Sequence, residues 1–521
     1  MHQVKEPTNT SKQIKAGAIL SYSQMAINVI ITLIYTPLMI RLLGDSEYGL
    51  YNTVISMISM LSVLSLGFNS CYIHYYAQYK EQGQQEKIES LNGLLLIIFL
   101  IIGVVALGCG LFITFNLHLV FDEGLTPLEY AIAKKLMFLL TFNLALSFPM
   151  SVFSNIISAH EKFIFLKALG IFKTVLSPIL TIPLLFYGYG SIAIVAVTII
   201  VSLIIDIAYV LFVKVKLKQR FVFHHFENGL FKSIFSFAIF IAIHIIVDQL
   251  NWNVAKIVLG RYRGTVEVAI YSVGFSLFMY YISVGTPTSG LFVPRVNSIV
   301  ADNEPLDKQN ARLTELFTKV GRIQWLILGL VCTGYIFFGK VFIEFWVGPG
   351  YEASYYVGLL LIIPGSIDLI QNLGIEIQRA KNLHKFRALI YLAMAIINVI
   401  ISIFLCQKYG AIGSAIGTSI SLILVQGIII NIYLYKKCGI NIFQFWSGIL
   451  KLSLGLIPPI IVGILIVNFI SIDSIFMLLA LIILYAIIYC LSMWFIGMNS
   501  YERGLIKKPL FKILRKNTSK E

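Results

Sequence analysis

Charge is what this sequence has least of. Only 12% of its 521 residues are Asp, Glu, Lys or Arg, about half the share of an ordinary soluble domain. Ser90 to Phe121, Thr174 to Ile205 and Ser474 to Tyr501 contain no charged residue at all. A water-soluble globule cannot be covered by such a composition, and nothing compensates for it. Acidic residues are the scarcer sign, 25 against 40 Lys and Arg. The six cysteines (Cys71, Cys109, Cys332, Cys406, Cys438, Cys490) show no CxxC or metal-ligand spacing, so they read as small packing residues, and neither a metal site nor a disulfide framework is expected. There is no Walker A loop, HExxH pair or GxSxG elbow, so ATP is not the direct energy source and no cofactor or hydrolytic chemistry is implied. The polar start MHQVKEPTNTSKQIK does not read as a cleavable signal, so the first apolar helix is expected to direct insertion.

What is present is apolar length. Hydrophobic residues make up 58% of the chain, and roughly 20 consecutive ones cross a bilayer as a helix. Apolar runs separated by breaker clusters give fourteen candidate spans: 15–40, 49–74, 91–120, 133–157, 165–186, 190–213, 232–260, 267–293, 317–345, 354–378, 387–406, 410–435, 447–470 and 474–497. The expected fold is all-α, a polytopic membrane protein. The formal charge of +15 would suit nucleic acid, but the excess Lys and Arg sit in loops and act there as orientation signals. With an even span count both termini face the cytoplasm. The basic clusters KVKLKQR (214–220), RAKNLHKFR (379–387) and the tail from Arg503 to Lys520 then all fall inside, as the positive-inside rule requires.

The chain also repeats itself. YGSIAIVAVT (189–198) is echoed by YGAIGSAIGT (409–418), an offset of 220 residues, and KAL (167–169) by RAL (387–389) at the same offset. Earlier, LLG (42–44) before YGLY (48–51) is echoed by VLG (258–260) before VAIY (268–271), where the offset reads 216 and then 220, as a short insertion would produce. The offset covers six spans, an even number, so the halves are parallel repeats about an axis along the membrane normal. The expected organisation is a six-helix lobe over 1–225, a second over 226–438, two extra helices over 439–500 and a basic cytoplasmic tail over 501–521.

Polar residues inside the spans are the candidates for function, because lipid cannot solvate them. His244, Asp248, Trp252 and Lys256 recur every four residues of span 7, along one slowly drifting helix face, with Asn251 beside them. Asp248 lies near the midplane, too deep to reach headgroups, and is the coupling candidate; Lys256 is close enough to the outer end to snorkel. In span 1, Gln24, Asn28 and Thr32 share the same spacing. Aligning Gly44 with Gly260 sets Asn28 against His244 and Thr32 against Asp248, making spans 1 and 7 paired cavity walls. Span 10 is the second polar helix: Asp368, Gln371, Asn372 and Glu376 crowd two turns, and Pro364, Gly365 and Gly374 invite a break. Asp206 in span 6 and Lys173 in span 5 are further candidates. A repeated bundle with a polar seam is the layout of a transporter.

The residues also resemble a known family. KAGAILSYSQMAINVIITLIYTPLMIRLLGDSEYGLY (15–51), VAKIVLGRYRGTVEVAIYSVG (254–274) and NVIISIFLCQKYGAIGSAIGTSIS (398–421) are similar to matching regions of bacterial polysaccharide-biosynthesis flippases. That family lies within the multidrug/oligosaccharidyl-lipid/polysaccharide exporter superfamily. The resemblance covers spans 1 to 12. It implies about fourteen transmembrane helices in two six-helix lobes around a cavity, no enzymatic activity, and a bacterial inner (plasma) membrane location. It further implies export of an undecaprenyl-diphosphate-linked oligosaccharide to the outer leaflet. Cationic residues would meet the diphosphate; the matching candidates are Lys256, Arg261, Arg263 and Arg41, of which the three arginines sit at the outer rim. Gln24, Asn28, Asn251, Trp252, Tyr271, Tyr280 and Tyr281 would serve sugars. A proton or sodium ion coupled through Asp248 is an expected partner, as are the pathway's polymerase and glycosyltransferases. The competing readings are a cation-coupled drug or metabolite antiporter of the same superfamily and a membrane glycosyl polymerase or ligase. The latter would carry its essential residues in an outer loop.

Overall fold

A computed structural model describes residues 8–121, 125–224, 229–302, 304–505 and 507. The N-terminal residues 1–7 and most of the basic tail, from 508 onward, lie outside the described residues. The helices are α1 (Thr8–Leu43), α2 (Asp45–Leu61), α3 (Phe68–Glu81), α4 (Gln85–Phe115), α5 (Pro127–Ala159), α6 (Phe163–Phe186), α7 (Gly190–Leu211), α8 (Leu230–Tyr262) and α9 (Thr265–Gly290). They continue with α10 (Val293–Ala301), α11 (Leu306–Val347), α12 (Glu352–Ile370), α13 (Leu373–Ala380), α14 (His384–Leu422), α15 (Ile430–Lys436), α16 (Ile442–Ser453), α17 (Ile457–Phe469) and α18 (Ile475–Ser492). No strand occurs among the described residues. In hydrocarbon a helix satisfies its own backbone hydrogen bonds, so the apolar runs have no other way to cross.

Thirteen helical stretches among the described residues are long and apolar enough to span a membrane. One of them, Phe386–Lys436, runs for 51 residues, roughly 77 Å of helix and more than twice a hydrocarbon core. It bends back at Gly410, whose φ of 58° and ψ of −136° are open to glycine and strained for other residues. The two spans read as 387–406 and 410–435 are the arms of this single run, so thirteen stretches make fourteen crossings. Two spans are broken in ways the apolar pattern hides. Span 2 is interrupted between α2 and α3 at Leu66 (φ 46°) and Gly67 (φ 76°). Span 10 is interrupted at Gln371–Asn372, between α12 and α13. The break in span 10 comes after Gly365 and before Gly374; Gly365 itself stays helical and packs under Phe278.

The chain divides into two compact units, Met1–Ser272 with Val399–Ser414 and Val273–Asn398 with Ala415–Glu521. Packing sets this division: α8, the opening helix of the second repeat, lies on α2. In the first unit α4 packs on α5, α1 on α6, and α7 against both α5 and α6. With lipid as the solvent, close approach rather than water release holds helices together. The α4–α5 pair shows the device. Gly103, Ala106 and Gly110 form a small-residue stripe, and a methyl group at Gly103 would come 2.6 Å from the carbonyl oxygen of Ala145, while one at Gly110 would collide with Thr141. The connector after α7 is tied to α4 in the same way. Val222 N–H donates to the Glu89 carbonyl (3.0 Å), Asn92 Nδ2 donates to the Arg220 carbonyl (3.1 Å), and Tyr72 Oη donates to Asn92 Oδ1 (2.8 Å). In the second unit α11 is the central element, with α12, α16, α17 and α18 packed along it.

Four of the six cysteines are buried; Cys109 and Cys490 are exposed. All six are free thiols.

Candidate functional site

The repeat reappears as geometry. Both repeats open on a helix that ends just before a left-handed glycine, Gly44 (φ 79°) and Gly264 (φ 84°). In the first repeat the next helix carries Glu47, and its Oε1 accepts from the Ser191 N–H at the start of α7 (2.6 Å) and from Ser191 Oγ (2.6 Å). In the second repeat Glu267 Oε2 accepts from the Ala411 N–H (2.7 Å), immediately after the bend at Gly410. These three pairs of positions, 44 and 264, 47 and 267, 191 and 411, keep the offset of 220 residues. A carboxylate at a helix N-terminus satisfies orphan N–H groups and meets the positive end of the helix dipole.

The glycine pairing corrects the alignment of Gly44 with Gly260. No insertion separates the repeats here: the equivalent of Gly44 is Gly264. Asn28 therefore corresponds to Asp248, Gln24 to His244, and Thr32 to Trp252. A carboxylate in one repeat and an amide in the other occupy the same place.

α8 is one continuous helix, so His244, Asp248, Trp252 and Lys256 do share a face. Its packed side is made by Ala242, Val247, Ala255, Val258 and Leu259, all buried, whereas His244 and Asp248 are exposed. Asp248 stands 14 residues before Tyr262 at the helix end, roughly 21 Å along the axis, and His244 acts on it electrostatically. Trp252, Asn251 and Lys256 are half-buried. The break in span 2 lies against this helix: a side chain at Gly67 would collide with Ile241. Ile241 and Asp248 are seven residues apart, two turns on nearly one face. The sequence carries only Gly67 as a signal for the break.

In α1, Asn28 is exposed, Gln24 and Thr32 are half-buried, and Thr32 Oγ1 donates back to the Asn28 carbonyl (2.7 Å). Gln24 packs on Gly170 of α6, where a methyl group would come 2.5 Å from its Nε2. Asp206 of α7 lies within electrostatic reach of Lys173 and lines a pocket of about 170 Å³ with Leu146, Met150 and Val210. Tyr271 and Tyr281 are fully buried, at 0% and 1% exposure. Tyr281 Oη is paired with Ser366 Oγ at 2.7 Å, which makes it a packing tyrosine rather than a surface for sugars.

At one end of the first unit the start of the second repeat is hydrogen-bonded to the first. The centre is Glu129. It is the third residue of α5, in a Thr-Pro-Leu-Glu capping box: Glu129 N–H donates to Thr126 Oγ1 (3.3 Å) and Glu129 Oε2 accepts from Thr126 N–H (2.7 Å). Its other oxygen, Oε1, accepts from Ser46 Oγ at the start of α2 and from Thr265 Oγ1 at the start of α9, the latter at 2.7 Å. Arg261 adds a second tie, donating from Nη1 to the carbonyls of Leu119 (2.7 Å) and Val120 (3.2 Å). Arg261 is thus engaged with backbone, while Arg41 and Arg263 are exposed. The capping box is legible as TPLE, but the sequence does not signal the contacts with Ser46 and Thr265.

A fourteen-crossing helical bundle, built on a parallel repeat with a polar row in the first helix of the second half, defines a multi-pass membrane transporter. Residues 14–299 match the family described as polysaccharide biosynthesis protein, and the chain belongs to that family, the membrane transporters and flippases of polysaccharide biosynthesis. A putative O-antigen transporter of Shigella flexneri is 22% identical over 395 residues, 74% of this chain and 89% of the relative. Among solved structures, the lipid II flippase MurJ in an inward closed conformation superposes with a TM-score of 0.65 at 17% identity, covering 95% of this chain and 99% of that one. The MATE multidrug transporter DinF-BH superposes with a TM-score of 0.59 at 16% identity, covering 86% and 99%. The fold is therefore that of the multidrug/oligosaccharidyl-lipid/polysaccharide exporters.

Proposed function

We propose that this chain flips an undecaprenyl-diphosphate-linked oligosaccharide from the cytoplasmic to the outer leaflet of a bacterial inner membrane, for cell-surface polysaccharide synthesis, by alternating access of its two repeats. Both termini face the cytoplasm, and the pathway's glycosyltransferases and polymerase act before and after it. The observation that carries the reading is the interlock of Glu129, Ser46 and Thr265, which joins the two repeats while the Asp248 face of α8 stays unpacked. An ionisable side chain exposed on a membrane-spanning helix, on the same face as a histidine and a tryptophan, is what a polar substrate path requires. The diphosphate requires positive charge in a site of reduced dielectric: Lys256 serves within the bundle, and the exposed Arg41 and Arg263 serve at the outer rim. Gln24, Asn28, Asn251 and Trp252 offer amides and an aromatic face to sugars. The polyprenyl tail stays in lipid.

Deleting the gene tests this directly. A lipid-linked saccharide accumulates in the inner leaflet, identified by mass spectrometry, and the surface polymer that contains it disappears. An unchanged lipid pool with normal surface polymer refutes the proposal.

Asp248 supplies the coupling, by exchanging a proton or holding a sodium ion beside His244. Asp248→Asn keeps the side-chain shape and removes the exchangeable charge. Transport by this variant, assayed in proteoliposomes against pH and sodium gradients, loses its dependence on the coupling ion. Retained dependence removes Asp248 from that role.

A further inference from the structure

In the second unit, span 10, span 11 and span 12 bring a second polar cluster together. Asp368 on α12 lies two residues before the helix break. Arg387 on α14 places Nη2 3.7 Å from Asp368 Oδ1, and its guanidinium sits over the Tyr391 ring at 4.7 Å. Gln426 donates to both Asp368 Oδ1 and Tyr391 Oη. Gln426 belongs to a π-helical turn, Ile423–Ile429, and such turns are frequent at functional sites. The amides continue inward: Asn431 Nδ2 donates to the carbonyls of Gln426 (2.9 Å) and Gly427 (2.8 Å), and Gln371 Nε2, at the break itself, donates to Asn431 Oδ1 (3.0 Å).

This network is one-sided. Gln371 and Gln426 are buried, at 3% and 1% exposure, yet among the described residues nothing donates to Oε1 of either. Buried acceptors without donors are costly; both atoms are closed off from the surface, so a ligand meets the cluster only through the exposed Asp368 and Arg387 side chains in front of them. The cluster is reachable from one side. The Asp368 side chain is 38% exposed and that of Arg387 12%, with Gln426 behind them as a floor. A carboxylate, a guanidinium, an amide and an aromatic ring are the groups that hold a sugar: oxygens accept from hydroxyls, nitrogens donate to them, and the ring covers a C–H face. A metal ion is a poor fit beside a guanidinium, and no group of three His, Cys, Asp or Glu side chains suited to a metal occurs among the described residues. In the first repeat the 220-residue offset sets Asp206 at the place of Gln426, so a polar group in this span is common to both halves.

We propose that Asp368, Arg387, Tyr391 and Gln426 form a saccharide subsite that takes the hydroxyls of one sugar of the transported lipid. The subsite rests on the flippase reading above and adds to it a position for the sugar moiety, apart from the α8 row. The test uses the purified full-length protein in nanodiscs and two probes: undecaprenyl diphosphate, and the lipid-linked oligosaccharide collected from the deletion strain. The unsubstituted protein binds the sugar-bearing lipid roughly tenfold more tightly than the bare one. Gln426→Leu and Asp368→Asn remove most of that difference and leave the bare lipid's affinity unchanged. Asp368→Asn preserves shape, so it decides the matter if Gln426→Leu does not fold. Equal losses for both lipids, or no loss for either, overturn the subsite. Equal affinity of the unsubstituted protein for the two lipids overturns the subsite and spares the flippase reading. Binding of neither lipid overturns both.

Discussion

Oxidising a protein that carries Ser46→Cys and Thr265→Cys stops transport completely, and a reductant restores it. Ser46 opens α2 in the first repeat and Thr265 opens α9 in the second; their hydroxyl oxygens are 3.3 Å apart, and both donate to Glu129 Oε1. Sulfurs placed there come within bonding reach. The hydrogen bonds themselves are reversible, each contributing about 0.5–1.5 kcal/mol, or somewhat more with an ionised acceptor, so thermal motion and ligand binding can separate the two ends. A covalent link cannot be separated in that way. The experiment uses a background in which the exposed Cys109 and Cys490 are serine, and reads transport in proteoliposomes before and after dithiothreitol. Full transport by the cross-linked protein would show that these two ends never part. Alternating access at this point would then be wrong.

The second large effect is on stability. Glu502→Ala destabilises the second unit by about 3–5 kcal/mol, the usual cost of leaving one member of a buried ion pair alone. Arg322, at 7% exposure, and Glu502, at 3%, form a two-pronged pair: Nε to Oε1 at 2.5 Å and Nη2 to Oε2 at 2.9 Å. The guanidinium also donates to the carbonyls of Gly448 (2.5 Å) and Gly497 (3.2 Å). Glu502 in turn accepts from the Asn499 N–H (2.9 Å) and donates its own N–H to Asn499 Oδ1 (2.9 Å). One cation on α11 thus ties together α16, the end of the α18 segment and the short helix that follows. Without Glu502 the nearly buried guanidinium keeps only the carbonyls of Gly448 and Gly497 as partners among the described residues. Replacing both residues by leucine and methionine costs far less than removing either alone, because no uncompensated charge remains. Thermal unfolding in detergent, run as a double-mutant cycle, checks this. Single variants that unfold within a degree or two of the parent would show that the pair is solvated.

The Arg322–Glu502 ion pair and the carboxylate networks differ in how visible they are in the sequence. The Thr126–Glu129 capping box and the Glu47 and Glu267 caps follow patterns that reading the sequence can find: a spacing of three in one case, the 220-residue offset in the others. The partners across helices follow no such pattern. Ser46 meets Glu129 83 residues away and Thr265 136 residues beyond that. Arg322 meets Glu502 at a separation of 180. The break at Leu66–Gly67 escapes the apolar pattern because hydrophobicity runs through it unchanged, while a break in span 10 is expected from Pro364, Gly365 and Gly374 and falls between the two glycines, at Gln371–Asn372. The pairing of Gly44 with Gly264 required backbone dihedrals, since VLG at 258–260 resembles LLG at 42–44 more closely than RYRG does.

The order and number of crossings, the repeat, and the face shared by His244, Asp248, Trp252 and Lys256 came from the chain alone. Lipid leaves an apolar run no structure but a helix, and a helix assigns faces by arithmetic. Which polar atoms meet, where spans 2 and 10 break, and which arginine is committed to backbone were decided only in three dimensions. Those outcomes depend on how closely distant segments approach, and that approach is set by small side chains such as Gly103 and Gly110 acting together, not by any local spacing.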